Sequence, residues 1–122
     1  MIESVKYKDG GVIIRLRDNI TSKEIIEVNT NILNSDGFES LRFALWIFES
    51  IRDFNVSSND VYSIALQDLQ ASERNKALKV ALVTETPLSF GLSRMWEAYY
   101  SKGPWEHIVT KDEDKAMEWI NS

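Results

Sequence analysis

The chain contains no cysteine, which excludes disulfide staples, thiolate nucleophiles and sulfur-ligated zinc. A single histidine, His107, leaves any metal site to be completed by carboxylates alone, so no metal and no cofactor is expected. No apolar run approaches the roughly 20 residues that a bilayer-spanning helix requires, and no membrane insertion is expected. The opening Met1-Ile2-Glu3-Ser4 lacks a basic stretch leading into an apolar one, so a cytoplasmic location is expected. Positive charge is in short supply. The net charge is −5 and the Lys and Arg residues are scattered rather than clustered, which argues against a nucleic-acid partner. Glycine is sparse too, and Gly91 alone occupies the segment where a phosphate-cradling loop would need several.

What is present is the patterning of a folded α/β chain. Across Thr86-Pro87 the segment Lys79 to Tyr100 switches period. Val80, Ala81, Leu82 and Val83 form the continuous apolar run of a strand covered on both faces. Leu88, Leu92, Met95 and Tyr99 then recur at helical spacing and predict the core stripe of a helix. Upstream, Val5 to Lys8 and Val12 to Arg17 flank Asp9-Gly10-Gly11 as a hairpin. Thr21-Ser22-Lys23-Glu24 has the order of a capping box before a helix bearing Ile25, Val28, Ile32 and Leu33. Leu41 to Phe48 is apolar on both alternating sets and predicts a central strand. Ser57-Ser58-Asn59-Asp60 supplies N-caps for a helix carrying Val61, Ile64, Ala65 and Leu69. Asp68 interrupts that stripe and is expected beyond the sheet edge, facing solvent. Trp105 to Val109 alternates as a last strand, and Thr110-Lys111-Asp112-Glu113 reads as a second capping box before Ala116, Met117 and Ile120. The order is ββαβαβαβα, with no repeat or linker to divide residues 1–122 into more than one domain.

That order, the segment ALVTETPLSFGLSRMWEAYY with its Gly-x-x-Arg-Met helix, and the closing Ala116-Met117-Glu118-Trp119-Ile120 together resemble the SpoIIAA-like, or STAS-like (STAS/Sec14-type), small bacterial proteins. The resemblance spans nearly the whole chain. It implies an α/β β-α superhelix with a five-stranded, mainly parallel mixed sheet, an antiparallel first strand and helices packed on it. It further implies a non-enzymatic regulatory or protein-interaction module working with a protein partner or as a homodimer. The alternative is a carrier of a small apolar, lipid-like ligand, because Sec14-type domains share a related architecture. In better-understood relatives a serine or threonine opening the second helix is phosphorylated. Ser57 and Ser58 stand there, without the compact Asp-Ser pair of that pattern, and capping explains them equally well.

Sheets of this kind present ligand or partner sites beyond the carboxyl ends of their strands, which points to Thr84, Glu85, Thr86 and Ser89. Two readings stand for these residues, helix capping and contact with a polar ligand or partner. No paired-glycine elbow surrounds Ser89, and no acid-base pair is evident, so no catalytic residue is expected. With the core stripe on Leu92, Met95 and Tyr99, the helix places Trp96 and Tyr100 on a flank and Phe90 roughly opposite. Phe90, Arg94, Trp96 and Tyr100 are therefore the candidate contact residues, with Trp105 and Trp119 extending the patch. The same rings could equally seal the edges of a small core.

Overall fold

The computed structural model describes residues 1–122. The hairpin forms as its turn chemistry demands: β1 (Ile2–Lys8) and β2 (Gly11–Thr21) pair antiparallel across Asp9-Gly10, both at positive φ. That is the two-residue turn whose twist matches paired strands. β3 (Phe43–Asn55), β4 (Lys79–Thr84) and β5 (Glu106–Thr110) follow parallel to β2, giving the sheet order β1-β2-β3-β4-β5. Right-handed parallel crossovers need helices, and α1 (Ser22–Leu33), α2 (Ser58–Ala71) and α3 (Pro87–Tyr100) supply them, with α4 (Glu113–Ile120) closing the chain.

The two faces of the sheet are covered unequally. Val12, Ile14, Trp46, Phe48, Val80 and Leu82 join α1, α2 and α3 in the larger core, while Phe43, Leu45, Ile47, Ala81 and Val83 pack under Ala116 and Ile120 of α4. β4 therefore lies between two strands and two helical layers, as its unbroken apolar run predicts.

β2 and β3 run longer than expected. They continue past Arg17 and Phe48 as a paired extension with register shifts around Asp18, where Ser50 is left without a partner. Asp18 and Ser50 both adopt positive φ. Such an irregularity is a β-bulge. With β3 reaching Asn55, only Val56 and Ser57 separate it from α2. At the last helix the cap is Asp112 rather than Thr110: the Asp112 carboxylate accepts from the Asp114 and Lys115 amides, while Thr110 Oγ1 accepts from the Asp112 amide at 3.3 Å, one step before the helix. On the α4 face, Arg15 reaches Glu113 of α4 at 2.8 and 3.1 Å and Glu49 of β3 at 2.6 Å. The Glu113 hydrogen bond leads the effects that raise the Arg15 pKa.

Candidate functional site

Because β2, β3 and β4 are parallel and each feeds a helix, the N-termini of α1, α2 and α3 open at the same carboxyl edge of the sheet. Thr84 ends β4, fully buried, with no hydrogen-bond partner for its Oγ1. Glu85, exposed, accepts from the Ser50 amide at 3.3 Å and so serves the bulge of β3. Thr86 caps α3 and Ser89 answers it: the Ser89 amide donates to Thr86 Oγ1 at 3.2 Å while the Thr86 amide donates to Ser89 Oγ at 3.4 Å. With Ser89 only 1 % exposed, this pair is occupied in capping, and Thr84 and Ser89 offer nothing to a surface partner.

The buried face of α3 is not the one predicted. Ser89, Ser93, Trp96 and Tyr100 face the sheet, whereas Leu88 and Tyr99 are 53 % and 38 % exposed. Each buried position is one residue after a position of the expected stripe, so the helix is turned by about 100°. The reason lies in polar pairing. Trp96 Nε1 donates to Asp68 Oδ2 at 2.9 Å. The Tyr100 hydroxyl meets Ser72 Oγ at 2.8 Å and accepts from the Trp105 amide at 3.2 Å. Tyr100 stacks between Trp96 and Trp105, with ring centroids 5.0 and 5.1 Å apart. On this face the indole and phenol tips find partners, so large amphipathic rings are buried at no polar cost, and the small serines let the helix sit close. Leu92 and Met95 remain half-buried at the margin of the core.

Trp96, Tyr100 and Trp105 are thereby removed from any surface patch, and Trp119 lies on the opposite face of the sheet, beneath the Lys79 ammonium. Phe90, 40 % exposed, and Arg94 do face solvent as expected, Arg94 pairing with Glu97 at 3.1 Å. Glu97 also holds His107, whose Nδ1 lies 2.7 Å from its carboxylate.

Asp68 is a second correction. It is 4 % exposed in the middle of the helical layer, where Asn29 Nδ2 of α1 donates to it at 2.9 Å alongside Trp96 of α3. Desolvation pushes its carboxyl up to about 7, against the lowering effect of those two hydrogen bonds. Its place in the α2 stripe was the sequence signal for this role: a buried carboxyl that pins three helices through uncharged donors.

At the start of α2, Ser57 is the N-cap and accepts from the Asp60 amide at 3.1 Å, while Ser58 begins the helix exposed. The Ser22 hydroxyl donates to Asp60, joining the N-termini of α1 and α2, and this bond, then Ser57, lowers the Asp60 pKa. Further along, exposed Tyr62 meets exposed Tyr99 of α3 edge to face at 5.2 Å, with exposed Leu66 one turn beyond Tyr62. Sequence reading did not single out Tyr62, Leu66 or Leu88 as surface residues. The rotation of α3 is what brings Leu88 and Tyr99 out beside them. No group of three or more His, Asp or Glu side chains is placed to hold a metal ion, and no helix is long and apolar enough to cross a membrane.

A mixed five-stranded sheet with an antiparallel first strand, three helices on one face and one on the other, is the STAS fold. Among solved structures it is that of SpoIIAA. The phosphorylated form of the Bacillus cell fate determinant SpoIIAA matches with a TM-score of 0.63 at 17% identity, over 98% of this chain and 99% of that one. The unphosphorylated form, described as an anti-sigma factor antagonist, matches with a TM-score of 0.60 at 17% identity, over 99% and 96%. No protein-family model and no curated protein sequence matches the chain.

Proposed function

We propose that residues 1–122 act as one STAS-like regulatory module, non-enzymatic and cytoplasmic, that binds a protein partner through the outer surface of α2 and α3. The observation that carries this reading is the set of exposed apolar side chains on those two neighbouring helices: Tyr62 and Leu66 on α2, Leu88 and Tyr99 on one flank of α3, Tyr99 against Tyr62, and Phe90 on its other flank. Several exposed apolar and aromatic side chains on neighbouring helices of a small protein mark an interaction surface. The likeness of the fold to an anti-sigma factor antagonist supports a regulatory role. Arg94 supplies a rim charge beside Phe90.

SpoIIAA exists in a phosphorylated form, and Ser58 is the better acceptor of the two serines here. Ser57 Oγ is engaged as the cap of α2, while Ser58 is exposed at the positive end of that helix. A phosphate there adds a charge of about −1.5 to −2 near the contact surface, enough to switch an interface.

Affinity purification of the tagged protein from its own cells, wild type against the Leu88→Ala/Phe90→Ala double variant, tests the reading. Both positions are exposed, so folding stability should change by no more than about 0.5 kcal/mol per site. Proteins captured by the wild type should be lost from the variant, and native mass spectrometry of the same material distinguishes a second copy of this chain from a different partner. An unchanged set of captured proteins with the variant would overturn the proposal.

A further inference from the structure

β1 is an open edge of the sheet, with β2 on one side and no strand on the other. In a two-residue hairpin the flanking pair, here Lys8 and Gly11, exchanges both main-chain hydrogen bonds, and alternate pairs along the ladder do the same. Lys6 with Ile13 and Ser4 with Arg15 follow in that series, and the Arg17 amide, donating to the Met1 carbonyl at 3.0 Å, continues it. The amides and carbonyls of Val5 and Tyr7 therefore point away from β2, where no group of this chain meets them.

The side chains of this edge divide by face. Val5 and Tyr7, opposite Ile14 and Val12, stand on the side of the larger core, yet remain 39 % and 56 % exposed. Lys6 and Lys8, opposite Ile13 and Gly11, stand exposed on the α4 side. There Arg15 is paired with Glu49 and Glu113, and Arg17 with Glu3, whereas neither lysine has an ion-pair partner. In a chain of net charge −5, two uncompensated cations thus alternate with two exposed apolar side chains along a strand whose outer backbone groups are free.

Those charges decide the occupant. A second copy of β1 laid antiparallel with Val5 against Tyr7 sets Lys6 against Lys6, and with Tyr7 against Tyr7 it sets Lys6 against Lys8. Like charges directly opposite are destabilising, and lysine on an edge strand is a common device against such pairing. A strand with acidic side chains opposite the lysines and apolar ones opposite Val5 and Tyr7 meets both rows at once, because its own side chains alternate with the same period.

We propose that β1 is a docking edge for an extended segment of a partner protein in which acidic and apolar residues alternate, added as a further strand with its carboxylates on Lys6 and Lys8. This edge is separate from the outer surface of α2 and α3, so the inference stands or falls independently of the partner reading above.

The test uses the intact, nitrogen-labelled protein, titrated with a short peptide alternating glutamate and valine. Two control peptides accompany it: one alternating lysine and valine, and the first peptide N-methylated at alternate amides, on the edge that would face β1. The glutamate peptide should give saturable shifts at the β1 amides and slow hydrogen exchange at Val5 and Tyr7, and neither control should do so. Lys6→Glu/Lys8→Glu, at exposed positions, turns two attractive cross-strand pairs into repulsive ones. It should weaken the glutamate peptide by about tenfold or more and admit the lysine peptide instead. Leu88→Ala/Phe90→Ala should bind as the wild type does. Four results would each overturn the proposal: no saturable binding at about 1 mM peptide, equal binding of the N-methylated peptide, which reduces the contact to charge attraction, equal binding of the two charge types, or protection of Val5 and Tyr7 that rises with protein concentration without peptide, the sign of a second copy on the edge.

Discussion

Asp68 carries a buried carboxyl between Asn29 and Trp96, and no Lys or Arg is bonded to it. The other groups around it are neutral: Ser72 bonds its backbone carbonyl, and the Tyr100 hydroxyl, whose own pKa burial raises, lies one hydrogen bond further on. A folded-state value near 7 against an ordinary 3.8 means that the native state holds this proton more tightly than the unfolded chain does. The Asp68 contribution to stability is therefore fully present below about pH 4, declines as the pH rises to about 7, and is constant above that. Asp68→Asn removes the titration but leaves one carbonyl oxygen for two donors. Urea unfolding of both proteins from pH 4.5 to 8 should show the variant less stable at the acid end, by about 1–2 kcal/mol, with the deficit shrinking or reversing toward pH 8. A difference that does not change with pH would contradict the buried-proton account. Asp60 works in the opposite sense: its depressed pKa contributes stability above the ordinary carboxylate range that is lost on acidification. Since both proteins share it, it cancels in the comparison.

At the scale of elements, α3 decides what the surface can do. Its most hydrophobic stripe and its buried face are adjacent but different, and only the polar tips of Trp96 and Tyr100 explain the choice. The consequence is opposite in sign to what hydrophobicity alone suggests. Ser89→Leu, at a buried serine 1 % exposed, should destabilise by about 1–3 kcal/mol through overpacking and loss of its capping bonds, whereas Leu88→Ser should stay within about 0.5 kcal/mol of wild type. Thermal unfolding of the two variants separates the readings, and a larger loss for Leu88→Ser would return Leu88 to the core. The helices themselves were legible in the sequence. The capping box at Thr21, the period change at Pro87 and the turn at Asp9-Gly10 all correspond to local geometry, whereas the box expected at Thr110 gives way to an Asp112 cap. The orientation of α3 was not legible, because it depends on Asp68, Asn29 and Ser72 arriving from other elements. Nor was the bulge at Ser50, which carries no glycine and is supported by Glu85 from a different loop.

For the whole molecule, the layering follows from where continuous apolar runs occur. Val80 to Val83 and Phe43 to Phe48 are covered on both faces and fix the centre of the sheet, while α4 is short enough that the β1–β2 side of its face is left to Lys6, Ile13 and Arg15. These runs made the fold readable. The candidate residues were less readable: of the eight, Thr84, Ser89, Trp96 and Tyr100 turn inward. Glu85 and Thr86 serve the bulge and the cap, while Phe90 and Arg94 are exposed on one flank of α3 and Leu88 and Tyr99 on the other. Whether α3 turns these side chains, and not Trp96 and Tyr100, to solvent is the point on which the account turns. Relaxation of side-chain protons by a soluble paramagnetic probe measures it directly. Leu88, Phe90 and Tyr99 should be strongly broadened and Trp96 and Tyr100 protected. Broadened Trp96 and Tyr100 with protected Leu88 and Tyr99 would contradict the account.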